Sequence, residues 1–167
     1  MPLYDRYSKV MKGHGPFIQR MEKTRQERIL DWIQFYLRKS SSVHVLEVGV
    51  GIGLFATACR RHEWSYTGID RNEKIAAELG SDLPVLAGEV PPLPASVEPG
   101  SFDLAYSSFV FEHLADGMHG FEFARELCRA LKPEGILVLV VPDARSLGLE
   151  FWNLDYIPTA IRQQIEM

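Results

Sequence analysis

Three glycines at alternate positions follow an acidic residue in the stretch VLEVGVGIG, residues 45–53. Glu47 lies near the end of an apolar run that finishes at Val48, and Gly49, Gly51 and Gly53 follow at alternate positions. Because glycine has no Cβ atom, such residues permit a tight turn from a strand into a helix and let a ligand lie against the backbone. The spacing therefore predicts a ligand-binding turn, and the alternative is a close packing contact between strand and helix.

Apolar runs typical of buried strands alternate with helical patterns along the chain. Strands that alternate with helices require right-handed crossovers, which give a parallel sheet covered on both faces. The predicted fold class is therefore α/β, a Rossmann-like doubly wound and mainly parallel sheet with helices on both faces. We predict strands at 43–48, 66–70, 83–88, 102–108 and 136–142, and helices at 17–39, 54–62, 71–79 and 116–131.

Polar residues and glycines cluster where these strands end. In open α/β sheets, ligands bind beyond the carboxyl ends of the strands, at the point where the strand order reverses. The glycine turn follows the first strand, Asp70 the second and Glu89 the third, while Ser107 and Ser108 end the fourth. We expect these residues to lie along one edge of the sheet.

Composition limits the functions that are open to the chain. Its 167 residues are 46% hydrophobic and carry a net charge of −4, which indicates one domain without general affinity for nucleic acids. No apolar run approaches the roughly 18 residues of a membrane span, and the first residues lack a signal-peptide pattern, so we expect a cytoplasmic protein. Cys59 and Cys128 lack metal-ligand spacing, which predicts reduced thiols and no metal site.

Dinucleotide binding is the closest alternative for the glycine turn. The pattern G-x-G-x-x-G requires a glycine where Leu54 stands, and it has no use for a carboxylate just before the turn. Leu54 and Glu47 therefore disfavour a nucleotide-dependent oxidoreductase.

Five motifs together resemble the class I S-adenosylmethionine-dependent methyltransferases, including their methyltransferase type 11-like domain. VLEVGVGIG is similar to the first motif of that family, and YTGID to the second. The other three are AGEVPPLP, GSFDLAYSSFVFEHL and ELCRALKPEGILVLVVP, which follow in the family's order. The resemblance covers about residues 43–142.

The resemblance implies a cofactor, S-adenosyl-L-methionine, with S-adenosyl-L-homocysteine as its product. Glu47 would orient the turn and the amino end of the cofactor, and the three glycines would pack against its amino-acid and ribose parts. Asp70 would bind the ribose hydroxyls, since a carboxylate accepts strong charge-assisted hydrogen bonds from two neighbouring hydroxyls. A cap of the following helix is the structural alternative for Asp70.

Five further residues are assigned by the same resemblance to the cofactor site. Glu89 would meet the adenine amino group, with Val90 supplying backbone and apolar contact. Arg71 either flanks the adenosine or is a solvated surface charge. Ser107 and Phe109 end the fourth strand beside the expected position of the methyl group.

A general base is harder to identify, because methyl transfer depends chiefly on alignment and exclusion of water. His113 is the candidate catalytic residue, since its unperturbed pKa suits a base. A structural histidine held by a local hydrogen bond is the favoured alternative.

The chain divides into three predicted parts. Residues 1–42 form an arm and an amphipathic helix that could serve as a lid, with Tyr4, Tyr7 and His14 as candidate contacts. Residues 43–142 form the cofactor-binding core. Residues 143–167 are too few for the rest of the family's usual seven-stranded sheet, so its C-terminal part looks truncated. The exposed edge of strand five then predicts a cover, either this segment or a second subunit in a homodimer.

Three functions follow from these observations. The first is a methyltransferase that acts on a small-molecule acceptor, favoured over nucleic-acid substrates by the acidic composition. The second is a non-catalytic module that binds the cofactor or assembles with a partner. The oxidoreductase is third.

Overall fold

The structure is a computed structural model, and it describes residues 16–37, 42–80 and 83–142. Helices and strands alternate in it as the sequence predicts. The predicted arm, with Tyr4, Tyr7 and His14, and the C-terminal segment 143–167 lie outside the described residues. The helices are α1 (Pro16–Tyr36), α2 (Leu54–Arg61), α3 (Glu73–Leu79) and α4 (Gly117–Ala130), and the strands are β1 (His44–Val48), β2 (Ser65–Asp70), β3 (Val85–Ala87), β4 (Phe102–Ser108) and β5 (Leu131–Val140).

The five strands form one sheet in the order β3-β2-β1-β4-β5, and every pair is parallel. The chain moves outward from β1 to β3 and then returns to the other side of β1 with β4. The strand order therefore reverses between β1 and β4, which is where such sheets bind ligands. The predicted Rossmann-like α/β fold is confirmed.

Two apolar clusters cover the two faces of the sheet. One joins Leu30 and Ile33 of α1 and Phe55 of α2 to the alternate residues Val45 of β1 and Tyr106 of β4. The rings of Phe55 and Tyr106 stack within it, with centroids 3.8 Å apart. Because side chains alternate along a strand, Leu46 and Val48 face the opposite cluster, which Phe123 and Leu127 of α4 complete. The glycine turn is thus fixed between two packed layers.

The apolar face of α1 is narrower than the sequence predicts. Leu30 and Ile33 are buried, whereas Trp32 and Tyr36 are half exposed and Phe35 is 77% exposed. The helical spacing of the apolar residues Ile29, Trp32, Ile33, Tyr36 and Leu37 predicts that they share one face. The exposure of Trp32 and Tyr36 shows that this prediction is wrong for these two residues. Leu30 and Ile33 are three residues apart, and they define the stripe that faces the sheet.

The strand β5 begins earlier than predicted. The sequence predicts strand five at 136–142, with KPEG as a stop between the helix and this strand, yet β5 begins at Leu131, directly after α4. An irregularity accommodates these residues, because the pairing moves from Phe102 with Leu131 to Leu104 with Ile136. Glu134 adopts the left-handed conformation there, with φ +67°.

β5 also lies at one edge of the sheet formed by the described strands. What covers this edge stays a prediction, as does the homodimer. No helix among the residues that the structure describes is long and apolar enough to cross a membrane.

Candidate functional site

Left-handed backbone conformations shape the turn between β1 and α2. Gly49, Gly51 and Gly53 have φ angles of +85°, +56° and +74°. An added Cβ at Gly49 would lie 2.2 Å from Cγ2 of Val110, so a side chain has no room there. The first glycine is therefore required for close packing as well as for its conformation.

Gly51 differs from its neighbours because it faces open space. An added Cβ at this position would meet no atom within 4 Å. The backbone N–H of Gly51 instead donates to Oδ2 of Asp70, at 3.1 Å. The middle of the turn thus has open space beside its backbone, and ligand binding there stays a prediction.

Asp70 joins the glycine turn to the end of β2. Its side chain is only 2% exposed, and Oδ1 accepts a hydrogen bond of 2.8 Å from the backbone N–H of Asn72. A buried carboxylate is tolerated when it is hydrogen-bonded in this way. The cap of α3 is Asn72, which accepts from the N–H of Lys74, so Asp70 does not fill that role.

A buried pair of polar side chains lies beneath the turn. The hydroxyl of Tyr66 donates to Oε2 of Glu47 at 2.5 Å, and the Glu47 side chain is nearly inaccessible to solvent. The pKa of Glu47 is raised to about 8, mainly by burial; the Tyr66 hydrogen bond acts to lower this pKa, and the charge of the neighbouring Asp70 contributes to the increase. The Glu47 carboxyl group therefore carries a proton near neutral pH.

The end of β4 closes the other side of the turn. The buried hydroxyl of Ser107 donates to the carbonyl oxygen of Val48 at 2.9 Å, which fixes β4 to β1. The next side chain, Ser108, has a buried Oγ with no hydrogen-bond partner among the described residues. Phe109 then adopts a φ of +57°, and Val110 packs against Gly49.

The helix α1 reaches the same end of the sheet. The guanidinium carbon of Arg25 lies 4.4 Å from the centroid of the Phe109 ring, a cation–π contact. Sequence analysis missed this residue, because nothing in the spacing of the charges on α1 distinguishes Arg25 from the other arginines. Tyr66 was also missed, although strand alternation places it on the same face as Gly68, the neighbour of Glu47.

The remaining predicted site residues are more dispersed. Val90 is buried in the core beside Leu93, while Glu89 and Arg71 are exposed. His113 is exposed at the end of a short 3₁₀ turn, Phe111–His113. Glu47, Asp70, Ser107 and Phe109 therefore meet around the glycines, and the roles assigned to all these residues stay predictions.

The described residues contain no group of histidine, cysteine and acidic side chains that could hold a metal ion. Cys59 is buried and Cys128 is exposed, and both are free thiols. The site is thus built from a backbone turn, carboxyl groups, hydroxyls and aromatic rings.

Comparison with known proteins identifies the class to which this arrangement belongs. Residues 21–164 match the family described as "Methyltransferase domain", which is most of the chain, so the protein belongs to that family. The resemblance to class I methyltransferases is confirmed. No curated protein sequence matches the chain.

Solved structures share the fold across nearly the whole chain. A SAM-dependent methyltransferase from Archaeoglobus fulgidus has a TM-score of 0.72 at 20% identity, with 98% of this chain and 72% of that chain covered. The PH0226 protein from Pyrococcus horikoshii OT3 has a TM-score of 0.69 at 19% identity, with 90% of this chain and 66% of that chain covered. A putative S-adenosyl-L-methionine-dependent methyltransferase from Methanococcus maripaludis has a TM-score of 0.65 at 16% identity, with 98% of this chain and 80% of that chain covered. The protein is similar to each of these in fold, and it spans only part of their length.

Proposed function

We propose that the protein is an S-adenosyl-L-methionine-dependent methyltransferase that acts on a small-molecule acceptor. The observation that carries this proposal is the hydrogen bond from Gly51 to Asp70, since it joins the open turn to the carboxylate in one rigid site. Membership of a methyltransferase domain family supports the reaction class.

The residues of the site fit such a cofactor. The open space beside Gly51 admits a ligand against the backbone, and the Asp70 carboxylate ends β2 one strand away from the turn. Ribose hydroxyls are donors that a carboxylate accepts well. Glu89 follows β3, so the adenine would extend toward that edge of the sheet.

The bound cofactor supplies an electrophilic methyl group on a sulfonium, and the protein has to align it and exclude water. The fixed contacts of Ser107 and Val110 keep β4 against the turn, which holds the wall of the site in place. His113 is exposed, and we propose it as the residue that accepts a proton from the methyl acceptor.

The small-molecule acceptor is supported by charge. With 22 acidic against 18 basic residues, the chain has no general attraction for a polyanion. The cytoplasmic location stays a prediction.

Transfer of a labelled methyl group tests the proposal. The protein is incubated with methyl-labelled S-adenosylmethionine and pools of small hydroxyl, amine and thiol compounds, beside an Asp70→Ala variant. Transfer by the unaltered protein that the variant loses supports the enzyme. Binding without transfer to any pool contradicts methyltransferase activity and favours the non-catalytic module, and a parallel nicotinamide titration tests the oxidoreductase.

A further inference from the structure

The loop between β3 and β4, residues 88–101, carries the residue assigned to the adenine of the cofactor. Glu89 lies two residues after the end of β3, and its side chain is exposed. A side chain on a loop recognises a ligand only when a rigid scaffold holds the loop backbone in one place. The contacts that hold this backbone therefore decide whether Glu89 can recognise a base.

The start of the loop is tied to the end of β2. The backbone N–H of Gly88 donates to the carbonyl oxygen of Asp70 at 3.0 Å. Asp70 also supplies the carboxylate that we propose for the ribose. This contact therefore fixes the residue before Glu89 relative to the proposed position of the ribose.

A carboxylate of α4 holds the loop on the other side of Glu89. Oε2 of Glu126 accepts a hydrogen bond of 3.3 Å from the backbone N–H of Leu93. The side chains of Val90 and Leu93 are buried in one apolar cluster with Phe123 of α4. The segment that carries Glu89 is thus held between β2 and α4.

The Glu126 carboxylate is itself fixed and charged. Nη2 of Arg129 donates to the same Oε2 at 2.9 Å, and the Glu126 side chain is only 13% exposed. The hydrogen bond from Arg129 is the main cause that lowers the pKa of Glu126; burial opposes it, and the N–H of Leu93 contributes to the decrease. Because the acceptor is ionised, its hydrogen bond to Leu93 is stronger than one to a neutral oxygen would be.

The last residues of the loop are joined to α4 through the backbone alone. The N–H groups of Gly100 and Ser101 donate to the carbonyl oxygens of Arg129 and Ala130, at 3.0 and 2.9 Å. Carbonyl groups at the C-terminus of a helix have no partner within the helix, so the loop satisfies them. These contacts do not involve the Glu126 side chain, and they should keep the loop and α4 together when that side chain is replaced.

From these contacts we infer that Glu126 is a positioning residue that sets the specificity of the site for adenine. Its carboxylate holds the loop backbone at Leu93, which keeps Glu89 where it can accept a hydrogen bond from the adenine amino group. The inference rests on the proposed function, because it takes the cofactor and the role of Glu89 from it. Glu126 acts through the loop and not by contact with the cofactor.

Two ligands that differ only in the adenine amino group separate this role from a general structural one. One is S-adenosylhomocysteine, and the other is its 6-deamino analogue, in which a hydrogen atom replaces the amino group. Both are titrated by calorimetry into the unaltered protein, Glu126→Ala and Glu126→Gln. Gln keeps an oxygen that can accept from Leu93, without the charge. Glu122→Ala is the matched control, because it removes a carboxylate one turn earlier on α4 that accepts no hydrogen bond among the described residues.

The unaltered protein should bind S-adenosylhomocysteine about tenfold more tightly than the analogue, as expected for a hydrogen bond to a charged group. Glu126→Ala should reduce this ratio of affinities to about twofold or less and Glu126→Gln to about fourfold, while Glu122→Ala should keep it. An unchanged ratio in Glu126→Ala, with or without weaker binding of both ligands, would show a purely structural role and overturn the inference. If thermal unfolding shows that Glu126→Ala is not folded, Glu126→Gln decides, and a ratio that stays about tenfold overturns the inference.

Two further outcomes distinguish the inference from the proposed function. If the unaltered protein binds both ligands equally, the cofactor site stands, and the inference fails because Glu89 makes no contact with the amino group. If the unaltered protein binds neither ligand, the proposed function fails first.

Discussion

The hydroxyl of Tyr66 donates to the carboxyl group of Glu47 across the β1–β2 pair, 2.5 Å from Oε2. Glu47 lies in register with Gly68, and the Tyr66 hydroxyl occupies the space over that glycine, 2.7 Å from where its Cβ would be. A larger residue at position 68 would displace the hydroxyl. The pair thus depends on a glycine outside the turn, and it supports the turn from below.

Replacing Glu47 should change how stability depends on pH. The pKa of Glu47 rises from 4.5 to about 8 on folding, mainly through burial. The folded protein therefore keeps a proton that the unfolded chain releases above pH 4.5. The contribution of Glu47 to the free energy of unfolding is fully present below pH 4.5. It is lost as the pH rises from 4.5 through about 8. The loss is about 3 kcal/mol by neutral pH. Glu47→Gln removes this dependence, since its amide does not titrate.

Denaturant unfolding of both proteins over this pH range measures the difference. The free energy of unfolding of Glu47→Gln, relative to the unaltered protein, should increase with pH. Curves that stay parallel would show that Glu47 is ionised in the folded state. Tyr66→Phe is a useful comparison, because loss of its hydrogen bond should raise the Glu47 pKa further.

Substitution by alanine should affect stability differently at the first two glycines of the turn. Gly49→Ala places a Cβ against Val110 and strains a φ of +85°, so we expect a loss of about 2–4 kcal/mol in the free energy of unfolding. In Gly51→Ala the added methyl group contacts no other atom, so the free energy of unfolding should decrease by only about 1 kcal/mol. The same methyl group would occupy the space proposed for the ligand. Unfolding and S-adenosylhomocysteine titration of both variants test this contrast. Equal stabilities, or full ligand affinity in Gly51→Ala, would contradict it.

Two adjacent serines give a matched pair at the end of β4. Ser107→Ala removes the donor to the Val48 carbonyl in a buried setting, which should cost about 1–2 kcal/mol of unfolding free energy. Ser108→Ala removes a buried hydroxyl that has no partner among the described residues, so stability should stay the same or increase. Thermal or denaturant unfolding of the two variants measures these changes. An equal loss of unfolding free energy in both variants would argue against the hydrogen bond from Ser107 to Val48.

The sequence predicted the fold well because its signals are local. Glycines, a capping Asn72 and β-branched runs each specify their own element, and right-handed crossovers between parallel strands give a sheet covered on both faces. Asp70 and the glycines could be assigned to one site for the same reason, since they end neighbouring parallel strands.

Other features depend on packing that spacing does not encode. The exposure of Trp32 follows from which side of α1 meets the sheet, and the early start of β5 follows from an irregular pairing with β4. The Arg25 contact with Phe109 joins residues far apart in sequence. Such contacts become visible only when the elements are assembled.

Calorimetric titration of S-adenosylmethionine and S-adenosylhomocysteine tests the central claim most directly. The unaltered protein should bind both, and Asp70→Ala should weaken binding by about 1.5–3 kcal/mol through loss of a charged hydrogen-bond acceptor. Asp116→Ala is the matched control, because it removes a carboxylate that accepts a hydrogen bond of 2.8 Å from the backbone N–H of His119 and none from the glycine turn. That variant should bind as the unaltered protein does. Absence of binding by the unaltered protein, or equal affinity in Asp70→Ala, would contradict the account.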